Sequence, residues 1–214
     1  MSPRGARTLG PAALAVLLGC GVLTGCAVLA PGSGTQGSPD GEQSTPAGEQ
    51  STPTDGSGGA VPDGPHLSAN GRVFDPVADD VDPNADCEGV SGRDAWEVFD
   101  RAAWPDLDVP AGEATLTCGN ASGAGWRHIA DGHTGDFGEL ADLVDAEWED
   151  VAVFAIDRAL EDPTRVEEYR DDIVNYDVLV EYVVDGAAER SWMVTVGFGL
   201  GSGQIITSFP DEQH

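Results

Sequence analysis

The residues of this chain with the clearest capacity for chemistry are two histidines five positions apart. His128 and His133 lie in a glycine-containing stretch, and Arg127 directly precedes the first of them. Histidine suits acid–base work because its reference pKa of about 6.5 lies near neutrality. The two side chains are therefore candidates for general acid–base catalysis, although a histidine at a helix start is also often a structural hydrogen-bonding residue.

The spacing of the two histidines restricts how they could act together. On a continuous α-helix five residues turn the chain by about 140°, so His128 and His133 would converge only if Gly132 breaks the helix. The same spacing disfavours zinc, because two histidine ligands on one helical face need a separation of four residues. The other histidines, His66 and His214, fall in stretches that look flexible. We expect no metal and no cofactor.

The elements around the histidines follow from the pattern of apolar residues. A strand at 114–117 is predicted to lead through a loop at 119–125 into helical sequence at 126–130. A second helix is capped by Asp136, and a third covers 151–160. The first half of the predicted domain therefore supplies helices.

Helical and strand patterns also flank this region. A capping box from Ser91 to Asp94, followed by apolar residues at helical spacing, predicts a helix that ends before Pro105. Residues 164–172 are polar and predicted to be irregular or a single helical turn. Three strands follow at 174–183, 191–197 and 204–209, the last ended by Pro210. The sum is an α+β fold, with helices packed on a small antiparallel sheet.

The four cysteines divide by position. Cys87 and Cys118 lie in the domain, and an even pair in an exported domain predicts a disulfide, with two free buried thiols as the alternative. Closing that loop would stabilise the fold by about 3–4 kcal/mol. Cys20 and Cys26 lie near the amino terminus.

The amino-terminal residues have the features of an export signal. Arg4 and Arg7 precede an apolar run at 11–23 that is too short to span a bilayer. The tetrad Leu23-Thr24-Gly25-Cys26 resembles the lipobox of bacterial lipoproteins, in which the cysteine is acylated after cleavage. The resemblance implies a signal peptide at 1–25, an acyl anchor on Cys26 and a location on the extracytoplasmic face of the cell membrane. An ordinary cleaved signal is the alternative.

The rest of the chain divides into a tether and a domain. Residues 26–65 are rich in Gly, Ser and Pro and cannot bury enough apolar surface to fold, so they predict a disordered linker. Residues 66–214 form the domain, with 33 acidic residues, eight arginines and no lysine, a net charge of −25. Such a surface favours a soluble monomer and disfavours non-specific binding to nucleic acid.

Several short segments of the domain resemble one group of proteins when taken together. They are Leu116-Thr117-Cys118-Gly119-Asn120, Gly125-Trp126-Arg127-His128-Ile129, His133, and Ile206-Thr207-Ser208-Phe209-Pro210. In this order they resemble the barnase–EndoU–colicin–RelE-like ribonuclease toxins, over a family-like core at 113–210. The resemblance implies a metal-independent ribonuclease on an antiparallel sheet with helices on one face.

The resemblance also implies roles for individual residues. His128 and His133 would supply the base for the ribose 2′-hydroxyl and the acid for the leaving oxygen. Arg127 would contact phosphate, and Thr207 and Ser208 would donate to a phosphate oxygen. The implied partner is RNA. The alternative is a non-catalytic module on the same scaffold that binds a protein or other component of the cell envelope.

Overall fold

The computed structural model describes residues 64–81 and 87–214, and the statements below concern this part of the chain. The predicted signal peptide, Cys26 and almost all of the predicted linker lie outside it. The described elements, in chain order, are β1 (His66–Ala69), β2 (Arg72–Val73), β3 (Ala95–Arg101), a 3-10 turn (Pro105–Leu107), β4 (Gly112–Thr117), α1 (Trp126–Ala141), α2 (Trp148–Glu161), β5 (Arg165–Arg170), β6 (Ile173–Val184), β7 (Ala187–Gly199) and β8 (Gln204–Glu212).

All eight described strands belong to one sheet. Its order is β2-β1-β6-β7-β8-β4-β3, and β5 pairs with the part of β6 that β1 leaves free. Neighbouring strands are antiparallel except for β4 and β8, which are parallel. The predicted α+β class is confirmed, whereas the prediction of a small, wholly antiparallel sheet is wrong. The sheet is larger because segments predicted to be helical or irregular are strands.

The predicted helix after the capping box is wrong, because residues 95–101 form β3. The capping contacts are present: the Asp94 carboxylate accepts a hydrogen bond from the Ser91 amide at 3.0 Å, and the Ser91 hydroxyl accepts one from the Arg93 amide. These bonds close a turn, and β3 then pairs along the length of β4, with Phe99 buried. Long-range pairing outweighs the local helical spacing.

Two further predictions fail at the edges of the sheet. Residues 165–170 form β5, which pairs with β6 on one side and is therefore polar over most of its length.

The strand β8 does not end before Pro210 but continues to Glu212. β4 pairs with β8 only at its start, so Pro210 lies where no strand flanks β8 on that side, and such positions tolerate proline. The strands at 174–183 and 191–197 are confirmed and longer than predicted.

Tryptophan side chains join β3 to both helices. The Trp126 ring lies between the rings of Trp96 and Trp148, with centroid distances of 4.4 and 5.1 Å. All five tryptophans pack in or against the core. Buried apolar side chains of α1 and α2 share this core with one face of β6 and β7; they include Phe137, Leu140, Phe154, Leu160, Val178, Val194 and Val196.

α1 lies beside β8 and runs in the same direction. The Gly125 amide, just before α1, donates to the Ile206 carbonyl at 3.1 Å. Near the other end, Arg190 joins Glu139 of α1 to Glu212 of β8. α1 thus flanks the part of β8 that β4 leaves free. No helix in the described part of the chain is long and apolar enough to cross a membrane.

The predicted disulfide is confirmed. Cys87 and Cys118 are bonded, with their Cα atoms 5.4 Å apart, and both side chains are buried. The bond joins the segment that precedes β3 to the residue that follows β4.

Removal of the disulfide gives the first test of this fold. We expect Cys87→Ala with Cys118→Ala to lower the free energy of unfolding by about 3–4 kcal/mol, because the loop of 31 residues is no longer closed in the unfolded chain. Urea denaturation of the oxidised wild type and the double variant measures the difference. Equal midpoints would contradict a stabilising role.

A buried carboxyl group gives a second test, through pH. Asp150 lies in the first turn of α2 and accepts a hydrogen bond from the Val81 amide at 2.9 Å. Burial raises its pKa, the Val81 amide lowers it in part, and the charge of Asp80 raises it further. The folded-state pKa therefore lies above the unfolded value, so the folded state binds the proton more tightly and burial of the charge destabilises it above the folded pKa.

We expect Asp150→Asn to be at least as stable as the wild type at pH 7, because the amide keeps the shape and removes the buried charge. The advantage should shrink as pH falls through the raised folded pKa towards the unfolded value of about 3.9, because the wild-type group is increasingly protonated in the folded state. Urea midpoints between pH 7.5 and 4 measure it, with Glu189→Gln as a charge-matched control on an exposed residue that does not shift the Asp150 pKa. An Asn variant less stable at every pH would contradict this account.

Candidate acid–base site

The two histidines lie close together on a helix that is not broken. α1 continues through Gly132, so the prediction that a helix break is needed is wrong. The ring centroids of His128 and His133 are nevertheless 6.0 Å apart, in an edge-to-face arrangement. His128 lies in the first turn, and helical side chains lean towards the helix amino terminus, so the His133 ring extends back towards it.

His128 is held by the loop that precedes α1. Its Nδ1 lies 3.1 Å from the Ala121 carbonyl oxygen, and its backbone amide donates to the Gly125 carbonyl. A carbonyl oxygen can only accept, so Nδ1 carries the hydrogen. In the neutral ring Nε2 then holds the lone pair. The loop therefore presents His128 in the tautomer that can accept a proton at Nε2.

His133 is held by a carboxylate and a phenyl ring. Its Nδ1 lies 3.0 Å from Asp136 Oδ2, and its ring centroid lies 5.4 Å from that of Phe209 on β8. The prediction that Asp136 caps a second helix is wrong, because α1 runs through it, and the sequence analysis misses this contact. A spacing of three residues on a helix is the signal that could have shown it. Neither Nε2 atom of the pair has a hydrogen-bond partner in the described part of the chain.

The hydroxyl groups predicted on β8 lie in different surroundings. Ser208 is fully buried opposite Val196, and its Oγ has no hydrogen-bond partner among the described residues. Thr207 lies opposite Gly197 and shares its strand face with Phe209. Its Oγ1 is also buried and unpaired within the described ranges. Thr207 thus lies on the side of β8 that carries Phe209, whereas Ser208 belongs to the core.

Arg127 is directed away from the histidine pair. Its guanidinium donates to the carbonyls of Cys87, Val90 and Gly119. These three backbone acceptors take up much of its donor capacity. The structure therefore brings together His128, His133 and the Thr207–Phe209 side of β8, but not Arg127 or Ser208.

The open face of the sheet next to Phe209 carries a second polar group that the sequence does not indicate. Thr195, opposite Phe209, donates to Asp177 at 2.7 Å, and Arg165 donates to the same carboxylate at 2.7 and 2.9 Å. Asp177 is almost fully buried. Its hydrogen bonds and charge raise the pKa of Arg165, which stays cationic. Asp177 lies two strand spacings, about 10 Å, from Phe209, and the charges of Asp177 and Arg165 neutralise each other there.

The described residues contain no group of three or more His, Cys, Asp or Glu side chains placed to hold a metal ion. Comparison with known proteins adds no assignment: no family model, no curated protein and no solved structure matches this chain. The function must therefore be argued from the site itself.

Proposed function

We propose that this protein is an exported lipoprotein whose domain cleaves RNA by acid–base catalysis between His128 and His133. The observation that carries the proposal is the pair of imidazole rings 6.0 Å apart, each held through Nδ1 and each with an Nε2 free of protein partners in the described structure. When the ribose 2′-hydroxyl is the nucleophile, cleavage of a phosphodiester needs one general base and one general acid, and two such histidines can supply them.

The two hydrogen bonds support a role for each histidine. His128 donates Nδ1–H to a neutral carbonyl, which leaves Nε2 as the base that removes the ribose 2′-hydroxyl proton. The 2′-oxygen then attacks the phosphorus. His133, whose Nδ1–H donates to the Asp136 carboxylate, acts in its doubly protonated form and donates the Nε2 proton to the departing 5′-oxygen. Exchange of protons with water then returns both rings to their starting states. The products are a 2′,3′-cyclic phosphate and a 5′-hydroxyl, and no redox or metal step is needed.

β8 supplies the rest of the proposed site. Phe209 packs against His133 and offers an aromatic surface on which a base could stack, a contact worth about 1–3 kcal/mol in single-strand binding. The Thr207 hydroxyl lies on the same strand face but is buried, so we assign it no contact with phosphate. Ser208 and Arg127 take no part in this proposal.

Substitution of the histidines tests the proposed chemistry. We expect His128→Ala and His133→Ala each to lower kcat for a single-stranded RNA by about 10²–10⁴-fold, the usual contribution of a positioned acid or base. The full chain, purified in detergent, is assayed with a fluorogenic RNA in excess chelator. His214→Ala is the matched control, because that histidine is exposed at the end of the chain. Wild-type protein without activity, or equal activity in all variants, would contradict the proposal.

A second function is favoured by a separate observation. The domain carries a net charge of −25, and the one arginine next to the histidines is bound to backbone carbonyls. The alternative is a non-catalytic module that binds a protein of the cell envelope. This alternative predicts that the protein does not cleave RNA at any pH and that cross-linking recovers a defined envelope partner. It also predicts that His128→Ala recovers the same partner.

The proposed membrane anchor has its own test. We expect Cys26→Ser to move the protein from the membrane fraction to the soluble fraction, because the acyl chains on Cys26 would be the anchor. Fractionation and metabolic labelling with a fatty acid measure it, with Cys20→Ser as the matched control, which should stay membrane-bound and labelled. Retention of the Cys26→Ser protein on the membrane would place the anchor elsewhere.

A further inference from the structure

The guanidinium group of Arg127 joins two segments that are distant in the sequence. It donates to the carbonyls of Cys87 and Val90, ahead of β3, and to the carbonyl of Gly119, after β4. No carboxylate pairs with it in the described structure. An arginine fork bound only to backbone oxygens fixes the separation and direction of the segments that carry them.

The same two segments are joined by the disulfide and by the backbone. Cys87 is bonded to Cys118, the neighbour of Gly119, and the Gly119 amide donates to the Gly92 carbonyl at 2.8 Å. The Arg127 amide donates to the Cys118 carbonyl at 3.0 Å. Covalent and non-covalent links therefore meet around the first residues of the 119–125 loop.

That loop is the support of His128. Ala121, two residues after Gly119, accepts the hydrogen bond from the His128 imidazole. The Asn120 amide donates to the Ala124 carbonyl at 3.0 Å, so the loop is tied to itself between these points. A change in the position of Gly119 is thus transmitted through a few bonded residues to the acceptor that sets the His128 tautomer.

We propose that Arg127 is a positioning residue for His128 and does not contact phosphate, and that the Cys87–Cys118 disulfide makes this positioning depend on redox state. The catalytic part of this inference rests on the proposed function. Reduction by a dithiol breaks the sulfur–sulfur bond, adds two electrons and two protons to form two thiols, and converts the dithiol to its cyclic disulfide. The Cys87 and Val90 carbonyls are then no longer covalently held beside Arg127.

This arrangement makes the activity of the site depend on the redox state of the compartment. In a reducing compartment the 119–125 loop lacks its covalent tie, and the His128 ring loses its fixed acceptor. After export to an oxidising compartment the disulfide forms and the support of His128 is complete. RNA cleavage would thus be weak before export and full after it.

Kinetics of Arg127→Gln separate positioning from phosphate binding. A positioning role predicts that kcat falls at least tenfold while KM stays within about twofold, because the substrate contacts are unchanged. A phosphate contact predicts the reverse, a raised KM with a smaller salt dependence, and would overturn the proposal. Arg170→Gln is the charge-matched control, since Arg170 is exposed on β5. Arg127→Lys, a milder change, should recover little of kcat because an ammonium cannot reproduce the fork.

A second measurement does not require activity. Imidazole 15N and 1H NMR signals of the full chain in detergent report the tautomers of His128 and His133. We expect Arg127→Gln, and separately dithiothreitol treatment of the wild type, to shift the His128 signals and to leave those of His133 in place, with recovery on reoxidation. Tryptophan fluorescence checks that the stack of Trp96, Trp126 and Trp148 is intact.

The outcomes of the two measurements are distinct. If the wild type does not cleave RNA but the His128 signals respond, the proposed function fails and the positioning role stands. If the His128 signals are unchanged in both the Arg127 variant and the reduced protein, the positioning role fails whatever the activity. If the reduced wild type cleaves RNA at the oxidised rate, the redox dependence fails.

Discussion

The placement of α1 against β8 depends on one close backbone contact at Gly125. Gly125 has a φ of 85°, and its amide donates to the Ile206 carbonyl. A side chain there would bring its Cβ to 2.5 Å from the Thr117 carbonyl oxygen, so only glycine fits between β4 and the start of α1. Because α1 begins at this point, its first turn lies level with Thr207, and His133 lies level with Phe209.

Most arginines of the domain are bound to other groups of the domain itself. Arg72 joins Asp79 to Asp157, Arg165 serves Asp177, and Arg190 joins the ends of α1 and β8. Arg101 is buried without a carboxylate in the described structure, stacked 4.5 Å from the Phe198 ring and bonded to the Tyr176 hydroxyl. The positive charge thus stabilises the fold against a large excess of acids. Any RNA bound here would depend on stacking more than on phosphate neutralisation.

The parts of the fold that were predictable are those in which local pattern and long-range pairing agree. The strands β6 and β7, which are long and rich in β-branched residues, the strand at 114–117 and the disulfide follow from the sequence. β3 was not predictable, because its apolar residues have helical spacing and its turn resembles a helix cap. The strand β5 was not predictable either, because an edge strand with one neighbour has few buried side chains and therefore shows no clear apolar pattern.

The same distinction holds for the site. Local motifs indicated His128 and His133, but they could not show that the helix stays intact through Gly132 while the rings still meet. They could not separate Thr207 from Ser208, because which side of β8 enters the core depends on pairing with β7. The resemblance to ribonuclease toxins implied that Arg127 contacts phosphate. Its carbonyl partners lie 40, 37 and 8 residues earlier in the chain, and only tertiary structure reveals them.

The central claim, that two histidines cleave RNA through the ribose 2′-oxygen, is tested most directly with a chimeric oligonucleotide. The substrate is DNA with a single ribonucleotide, incubated with the full chain in excess chelator, and the products are identified by mass spectrometry. The account predicts cleavage only after the ribonucleotide, with a 2′,3′-cyclic phosphate, and no cleavage when that sugar is 2′-O-methylated. Cleavage of the methylated substrate at the same rate, or no cleavage of the chimeric substrate at any pH between 5 and 9, would contradict it.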